Sequence, residues 1–194
     1  MNSDAAVVLV VRALNSIDMP YMLTGSLASN MYGVSRSTKD ADFVLQTSEF
    51  DFAKLRAALG PSLRIDPQMS FETVTATTRY IIHKLEGEPF KIELFFLSDD
   101  PHDRRRFERR RPGRFAGERV WIASAEDVII TKLRWSKDGK RTKDVDDVRN
   151  VLSVQGDALD WEYIHRWCDT HGTRALLEEV HKSLPPDLDP LEAN

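Results

Sequence analysis

Apolar residues follow two different spacings along the chain, and the change between them occurs near residue 122. Before that point, short alternating or continuous apolar runs predict strands, at 21–24, 41–45, 79–85, 90–97 and 119–122. After it, apolar residues recur every three or four positions, which is the spacing of helices. The pattern predicts an α/β (α+β) fold, with a small mixed β-sheet and flanking helices in 1–122, followed by a helical C-terminal region in 123–194.

Helix signals fill most of the first part between the strands. One helix is expected over 4–17, capped by Ser3 or Asp4, and another after an N-cap at Ser48, ending at Gly60. The segment 63–78 is less regular and is expected to hold one or two short strands.

Two aspartates stand at the start of the second predicted strand. Side chains alternate faces along a strand, so Asp40 and Asp42 point the same way, about 7 Å apart. Ala41 and Phe43 point into the core. Like charges this close repel each other unless a cation lies between them. Mg²⁺ prefers oxygen ligands and is typically held by one or two carboxylates together with substrate phosphates, so the pair predicts a Mg²⁺ site.

A glycine and a serine follow the first predicted strand directly. Gly25 lets backbone N–H groups come close to an anion, and Ser26 adds a hydroxyl group. The predicted helix that follows, 27–32, would favour negative charge at its N-terminus. Together with the two aspartates, this arrangement predicts a site for nucleoside triphosphate chemistry. An ordinary strand–helix–strand unit with a polar turn is the alternative interpretation.

The ordered set Gly25-Ser26, Arg36-Ser37-Thr38 and Asp40-x-Asp42 resembles the signature of the polymerase-β-type nucleotidyltransferase superfamily. It most resembles the AbiEii-like branch, which includes toxins of toxin–antitoxin pairs. The resemblance implies a nucleotidyltransferase core that moves a nucleoside monophosphate from an NTP to a hydroxyl group. In that comparison Asp40 and Asp42 would bind Mg²⁺, and the nucleotide-binding residues would be Gly25, Ser26, Arg36, Thr38 and Lys132.

One acidic residue, Glu93, interrupts the otherwise apolar strand predicted at 90–97. Such a charge is usually explained by a partner or by an exposed sheet face. In the superfamily, a third carboxylate comes from a later strand beside the Asp-x-Asp strand. The resemblance therefore implies that Glu93 is catalytic, either as the general base for the attacking hydroxyl or as a ligand of a second metal ion.

A second group of motifs lies in the helical part. Glu126-Asp127, Lys132-Leu133 and Arg141-x-Lys143-Asp144-x-x-Asp147 resemble the C-terminal motifs of the same branch. The resemblance implies that Lys132 neutralises triphosphate charge and that Asp144, or else Asp147, holds Lys132 or positions the substrate. It also implies that the nucleotide sits at the junction of the two parts. A surface ion pair is the alternative for Lys132 and Asp144.

The basic residues are unevenly distributed. The net charge is −4, yet seven arginines lie between Arg104 and Arg114. Two interpretations are open: the cluster binds RNA phosphates or a nucleotide, or it is a solvated helix and loop paired with nearby acidic residues. The single cysteine, Cys168, excludes an internal disulfide, and the apolar run 5–11 is too short to span a bilayer. We expect a cytoplasmic protein without membrane contact.

The sequence leaves the acceptor open between RNA, a protein and a small molecule such as an aminoglycoside. It also leaves open which NTP is used, whether a cognate antitoxin exists and what the oligomeric state is. A catalytically silent nucleotide- or RNA-binding protein of the same fold is the alternative function.

Overall fold

The computed structural model describes residues 1–47, 49–72, 77–139 and 141–184, which form two compact units. The first unit comprises Met1–Met31 and Ser35–Ser124, and the second comprises Tyr32–Val34 and the chain from Ala125 onward. The helices of the first unit are α1 (Ser3–Ser16), α2 (Gly25–Tyr32), α3 (Phe52–Leu59) and α4 (Pro101–Glu108). Its strands are β1 (Tyr21–Thr24), β2 (Asp40–Leu45), β3 (Leu63–Ile65), β4 (Ser70–Glu72), β5 (Thr77–Lys84), β6 (Lys91–Phe96), β7 (Arg111–Phe115) and β8 (Glu118–Ile122).

The strands form one mixed sheet in the order β3-β5-β6-β2-β1-β8-β7, with β4 paired to β5. The pairs β2–β6 and β1–β8 are parallel, and the other pairs are antiparallel. The strand that carries the two aspartates, β2, lies between β1 and β6. The predicted fold class, a mixed sheet with flanking helices followed by a helical region, is confirmed.

The core of the first unit lies under the apolar faces of the central strands and α1. Val7, Val10 and Leu14 of α1 are fully buried, as are Phe43 of β2 and Leu94 of β6. The rings of Tyr21 and Phe43 meet edge to face, with centroids 5.8 Å apart. Because Ala41 and Phe43 are anchored in this core, the alternate positions of β2 are directed to the opposite face of the sheet.

The second unit is a bundle of helices with a short 3₁₀ turn. Its elements are α5 (Ala125–Gly139), α6 (Thr142–Gln155), the 3₁₀ turn (Gly156–Ala158), α7 (Trp161–His171) and α8 (Arg174–Lys182). Cys168 is fully buried in α7, and burial raises the pKa of its thiol. Gly33 lies against the backbone of α6, where a Cβ atom would come within 2.9 Å of Val151 N.

Two N-cap predictions were wrong, and one strand was missed. The N-cap of α1 is Asn2 rather than Ser3 or Asp4, because its side chain accepts from the N–H of Ala5 at 2.8 Å. The N-cap of α3 is Asp51, and Ser48 lies outside the described residues. Strand β7 was not predicted at all. It is an edge strand, which is where a proline such as Pro112 can be accommodated in a sheet.

Candidate active site

Asp42 and Gly25 are in direct proximity at the end of β1. Gly25 adopts a positive φ of 64°, and a Cβ atom built on it would lie 2.0 Å from Oδ2 of Asp42. Thr24, the last residue of β1, is the register partner of Asp42. Only glycine therefore fits at position 25, and its lack of a side chain brings the Asp42 carboxylate next to the N-terminus of α2.

The Asp40 carboxylate is oriented by Thr38, which lies two residues before it in the sequence motif. The hydroxyl of Thr38 donates to Oδ1 of Asp40 at 2.8 Å. Asp40 and Asp42 are both half-buried, whereas Ala41 between them is buried. The two carboxylates thus share the accessible face of β2, as the alternation in the sequence predicts.

The loop before β2 is held by reciprocal hydrogen bonds. Nδ2 of Asn30 donates to the carbonyl of Arg36 at 2.7 Å, and the N–H of Arg36 donates to Oδ1 of Asn30 at 3.1 Å. The Arg36 guanidinium in turn donates to Oγ of Ser26 at 3.0 Å. The structure therefore brings Ser26 and Arg36 together at the first turn of α2.

Glu93 lies on the strand next to the two aspartates. In the parallel pair β2–β6, Asp42 is the register partner of Glu93, and Asp40 is the partner of Lys91. Glu93 is 5% exposed and makes two ion pairs, with Lys91 Nζ at 2.6 Å and with an Arg79 NH1 nitrogen at 3.2 Å. The predicted acidic residue is therefore beside the Asp-x-Asp strand, but two cations hold it.

Lys91 and Arg79 were missed by the sequence reasoning. Lys91 is detectable in the sequence, because it lies two residues before Glu93 and so shares its face of the strand. Arg79 comes from β5 and is brought near only by strand pairing, with its guanidinium 5.5 Å from the centre of the Phe95 ring. No sequence signal marks it.

One compact group of three potential metal ligands occurs in the described part of the chain, formed by Asp100, His102 and Asp103. Asp40, Asp42 and Glu93 are not members of it. Asp100 caps α4 by accepting from the N–H groups of His102 and Asp103, and Asp103 pairs with Arg106 at 2.8 Å. The group could hold a metal ion, and its imidazole suits transition metals better than Mg²⁺.

Lys132 and its predicted partners form a buried cluster within the second unit. Nζ of Lys132 lies 2.9 Å from Asp144 Oδ1 and 2.7 Å from Asp147 Oδ2. All three side chains are at least 94% buried, and Arg141 contacts the other oxygen of Asp144 at 2.9 Å. The surface ion pair considered for Lys132 is therefore wrong, because the pair is buried and both aspartates take part.

The arginines between Arg104 and Arg114 have different surroundings. Arg104 and Arg105 are exposed and pair with Asp99 and Glu108, as in the solvated-helix interpretation. Arg106 is instead buried and pairs with Asp103. Arg110 stacks on Phe107 and Trp121, and its burial lowers the pKa of the guanidinium.

The exposed arginines of the β7–β8 hairpin behave differently. Arg111, Arg114 and Arg119 are exposed, and the described structure places no carboxylate within salt-bridge distance of them. Arg114 and Arg119 are register partners and therefore lie on one face, next to Trp121, which is 42% exposed. Within the described residues, no helix is both long and apolar enough to cross a bilayer.

Solved structures with a similar fold include nucleotidyltransferases. The antibiotic-resistance factor ANT(2″)-Ia, solved in complex with adenylyl-2″-tobramycin, matches with a TM-score of 0.57 and 15% identity, covering 90% of this chain and 99% of its own. Its solution structure gives a TM-score of 0.56 at 15% identity, covering 92% and 96%. An antigenic nucleotidyltransferase-like protein from Paracoccidioides brasiliensis matches with a TM-score of 0.51 and 18% identity, covering 94% of both chains. These likenesses establish the fold.

The sequence itself identifies the family. No curated protein matches it. The model of the AbiEii family, described as nucleotidyl transferase AbiEii toxin of type IV toxin–antitoxin systems, matches residues 12–193. That range contains the motifs around Gly25, Asp40, Glu93, Lys132 and Asp144. The chain belongs to the AbiEii family of nucleotidyl transferases.

Proposed function

We propose that this protein transfers a nucleoside monophosphate from an NTP to an acceptor hydroxyl, with Mg²⁺ held by Asp40 and Asp42. The observation that carries the proposal is the contact of Asp42 with Gly25. It places a carboxylate beside the N-terminus of α2, so that a metal ligand and a phosphate-binding helix end are adjacent. A nucleoside triphosphate with its divalent cation needs both features together.

The residues present fit a magnesium ion. Asp40 and Asp42 offer carboxylate oxygens from one face of β2, and Thr38 fixes the orientation of Asp40. When bound, Mg²⁺ would neutralise phosphate charge and orient the triphosphate. Because position 25 carries no side chain, the Asp42 carboxylate can occupy the space that a Cβ atom would take and lies against the backbone at the start of α2.

The other residues of this site bind and orient the substrate in the proposal. The Gly25 backbone and the Ser26 hydroxyl hold the β- and γ-phosphates, and Arg36 positions Ser26 through their 3.0 Å hydrogen bond. Glu93 accepts the proton of the acceptor hydroxyl. The acceptor oxygen then bonds to the α-phosphorus, the bond from that phosphorus to the bridging oxygen breaks, and pyrophosphate leaves. Most of the rate comes from positioning and charge neutralisation.

The roles of Lys132 and Asp144 in binding the nucleotide stay a prediction, as does the division into a core at 1–122 and a helical region at 123–194. Support for Lys132 comes from its motif and from the buried aspartates that fix its ammonium group. A lysine held in one place can act as a point cation towards a triphosphate.

RNA is the acceptor class that we favour. The β7–β8 hairpin presents Arg114 and Arg119 on one face together with the exposed side chain of Trp121. Two arginines directly opposite each other repel, and a polyanion relieves that repulsion. The aromatic ring adds a surface on which a base can stack. A small-molecule acceptor is the second candidate, since a protein of similar fold was solved with adenylyl-2″-tobramycin.

The test combines each α-labelled NTP with Mg²⁺ and with total RNA, an aminoglycoside panel or no acceptor. We expect label to move to RNA with the wild-type protein and with Asp157→Asn, a matched control at an exposed aspartate. Asp40→Asn and Asp42→Asn should each abolish transfer while leaving the circular dichroism spectrum unchanged. Full activity in Asp42→Asn would refute the mechanism, and NTP binding without any product would favour the silent alternative.

The hairpin and the toxin role are tested separately. Arg114→Gln/Arg119→Gln should weaken RNA transfer and its salt dependence but leave NTP binding intact. As a member of a toxin family, the protein should arrest growth when expressed alone, and Asp42→Asn should remove the effect. A cognate antitoxin should restore growth without removing the protein.

A further inference from the structure

We propose that Lys91 takes the place of a second divalent cation at this site, so that one metal ion serves each bound nucleotide. The inference rests on the proposed function, since it concerns how the same site balances its charge. Lys91 is a residue to which neither the motifs nor the family match assigns a role.

Both oxygens of Glu93 are already in contact with cations. Oε1 receives the ammonium of Lys91 at 2.6 Å, and Oε2 receives the guanidinium of Arg79 at 3.2 Å. With Glu93 only 5% exposed, water cannot stabilise its charge, and the two cations do so instead. A second metal ion bound through Glu93 would be repelled by the two cations that already contact its carboxylate oxygens.

Register places these charges next to the aspartates. Lys91 is the partner of Asp40, and Glu93 is the partner of Asp42, on neighbouring parallel strands about 4.8 Å apart. The four side chains therefore alternate in sign across one patch of the sheet face. An ammonium group beside Asp40 and Glu93 lies where a second cation would otherwise balance the same carboxylates.

The charge count supports a single ion. Asp40, Asp42 and Glu93 contribute three negative charges, and Lys91 and Arg79 return two positive ones. One divalent cation reverses the sign of the patch and matches an incoming polyanionic triphosphate. A second ion, added while both basic residues remain, would concentrate positive charge around a buried carboxylate that is already neutralised.

Glu93 keeps its proposed role as proton acceptor under this arrangement. Each carboxylate oxygen has two lone pairs, and each of the two contacts uses one of them. Lys91 and Arg79 therefore act as positioning residues that hold Glu93 in one orientation, and Lys91 also supplies charge. The Lys91 side chain is 42% exposed, so it can be replaced without opening a cavity in the core.

Counting bound Mn²⁺ tests the proposal without relying on activity. Purified protein is saturated with a non-hydrolysable α,β-methylene NTP and titrated with Mn²⁺, and free Mn²⁺ is followed by electron paramagnetic resonance. We expect one Mn²⁺ per bound nucleotide in the wild type and in Lys91→Arg. Lys91→Gln should bind two, because Glu93 regains a free oxygen. Lys54→Gln, a matched change at an exposed lysine of α3, should bind one.

The outcomes distinguish a failure of the proposed role of Lys91 from a failure of the proposed function. Two Mn²⁺ ions in the wild type would overturn the role of Lys91, and so would a single ion in both the wild type and Lys91→Gln. If the wild type binds neither the nucleotide nor Mn²⁺, or if Asp40→Asn/Asp42→Asn binds both normally, the proposed function itself fails.

Discussion

Replacing Lys132 by methionine tests the energetics of the buried cluster in the second unit. The substitution keeps an unbranched side chain that is one atom shorter and removes its charge. Lys132 contacts two carboxylates within 2.9 Å, and its side chain is 3% exposed. Lys132→Met would therefore leave Asp144 and Asp147 buried beside each other without the cation that lies between them.

The expected loss follows from burial and geometry. Removing one partner of a buried ion pair costs about 3–5 kcal/mol, because the remaining charge stays desolvated. Arg141 still reaches Asp144 at 2.9 Å, but its own side chain is 49% exposed and compensates only in part. We therefore expect a loss of about 3 kcal/mol, which corresponds to roughly 6–12 °C in Tm for a chain of this size.

The assay is urea and thermal unfolding followed by circular dichroism, with Lys54→Met as the exposed control. The triple variant Lys132→Met/Asp144→Leu/Asp147→Leu should recover most of the loss, since an apolar replacement of a whole buried ion cluster is often neutral. If Lys132→Met unfolds within about 1 kcal/mol of the wild type, as for an exposed pair, the cluster is not a buried stabilising unit. If Lys132→Met loses transfer activity but keeps the stability of the wild type, Lys132 would serve nucleotide binding and not the stability of the fold.

Two further predictions concern single atoms and pH. Gly25→Ala should weaken nucleotide binding roughly tenfold or more, as measured by titration calorimetry. The reason is that the new Cβ atom would displace the Asp42 carboxylate. A wild-type affinity in this variant would contradict the proposed contact. Burial raises the pKa of the Cys168 thiol above its usual range, so the unfolded chain loses this proton first as pH rises. The unfolding free energy should therefore fall above about pH 9, and Cys168→Ala should reduce that fall in urea titrations at pH 7.5 and 10. An equal fall in both proteins would show that the thiol does not contribute.

The central strands were predictable because their patterns are strong. Continuous apolar residues in β1 and alternation in β2 and β6 reflect one buried face, and that face determines where Asp40, Asp42 and Glu93 point. The resemblance implied that the strand of Glu93 lies beside the Asp-x-Asp strand. The parallel register that pairs Asp42 with Glu93 could not be predicted from the residue pattern.

Strand β7 could not be predicted because its local signals oppose a strand. Pro112 and Gly113 have low strand propensity, and the segment is mostly exposed, so no apolar period marks it. Pairing with β8 supplies the missing stabilisation. The Gly113 position is also constrained by packing, since a Cβ atom there would lie 2.3 Å from Cδ1 of Ile122.

The ion pairs of Glu93 and of Lys132 could not be predicted from the sequence either. Arg79 reaches Glu93 across β5 and β6, 14 residues away in sequence, and only the antiparallel register brings them together. The buried state of Lys132 was not predicted either, because its motif is compatible with a lysine at the edge of an apolar face. Asp144 and Asp147 lie three residues apart on α6, one turn of helix, and this spacing allows both to reach one ammonium group.

The edge position of β7 has a consequence for the solution behaviour of the protein. An exposed edge strand offers unpaired N–H and C=O groups to the edge of another molecule, which can lead to sheet-to-sheet aggregation. Here Pro112 removes one donor, and Arg111 and Arg114 place like charges on any second copy that approaches. Neutralising Arg114 in order to study RNA binding would weaken that protection. The Arg114→Gln/Arg119→Gln variant should therefore be compared with the wild type by light scattering at the concentrations used for the transfer assay.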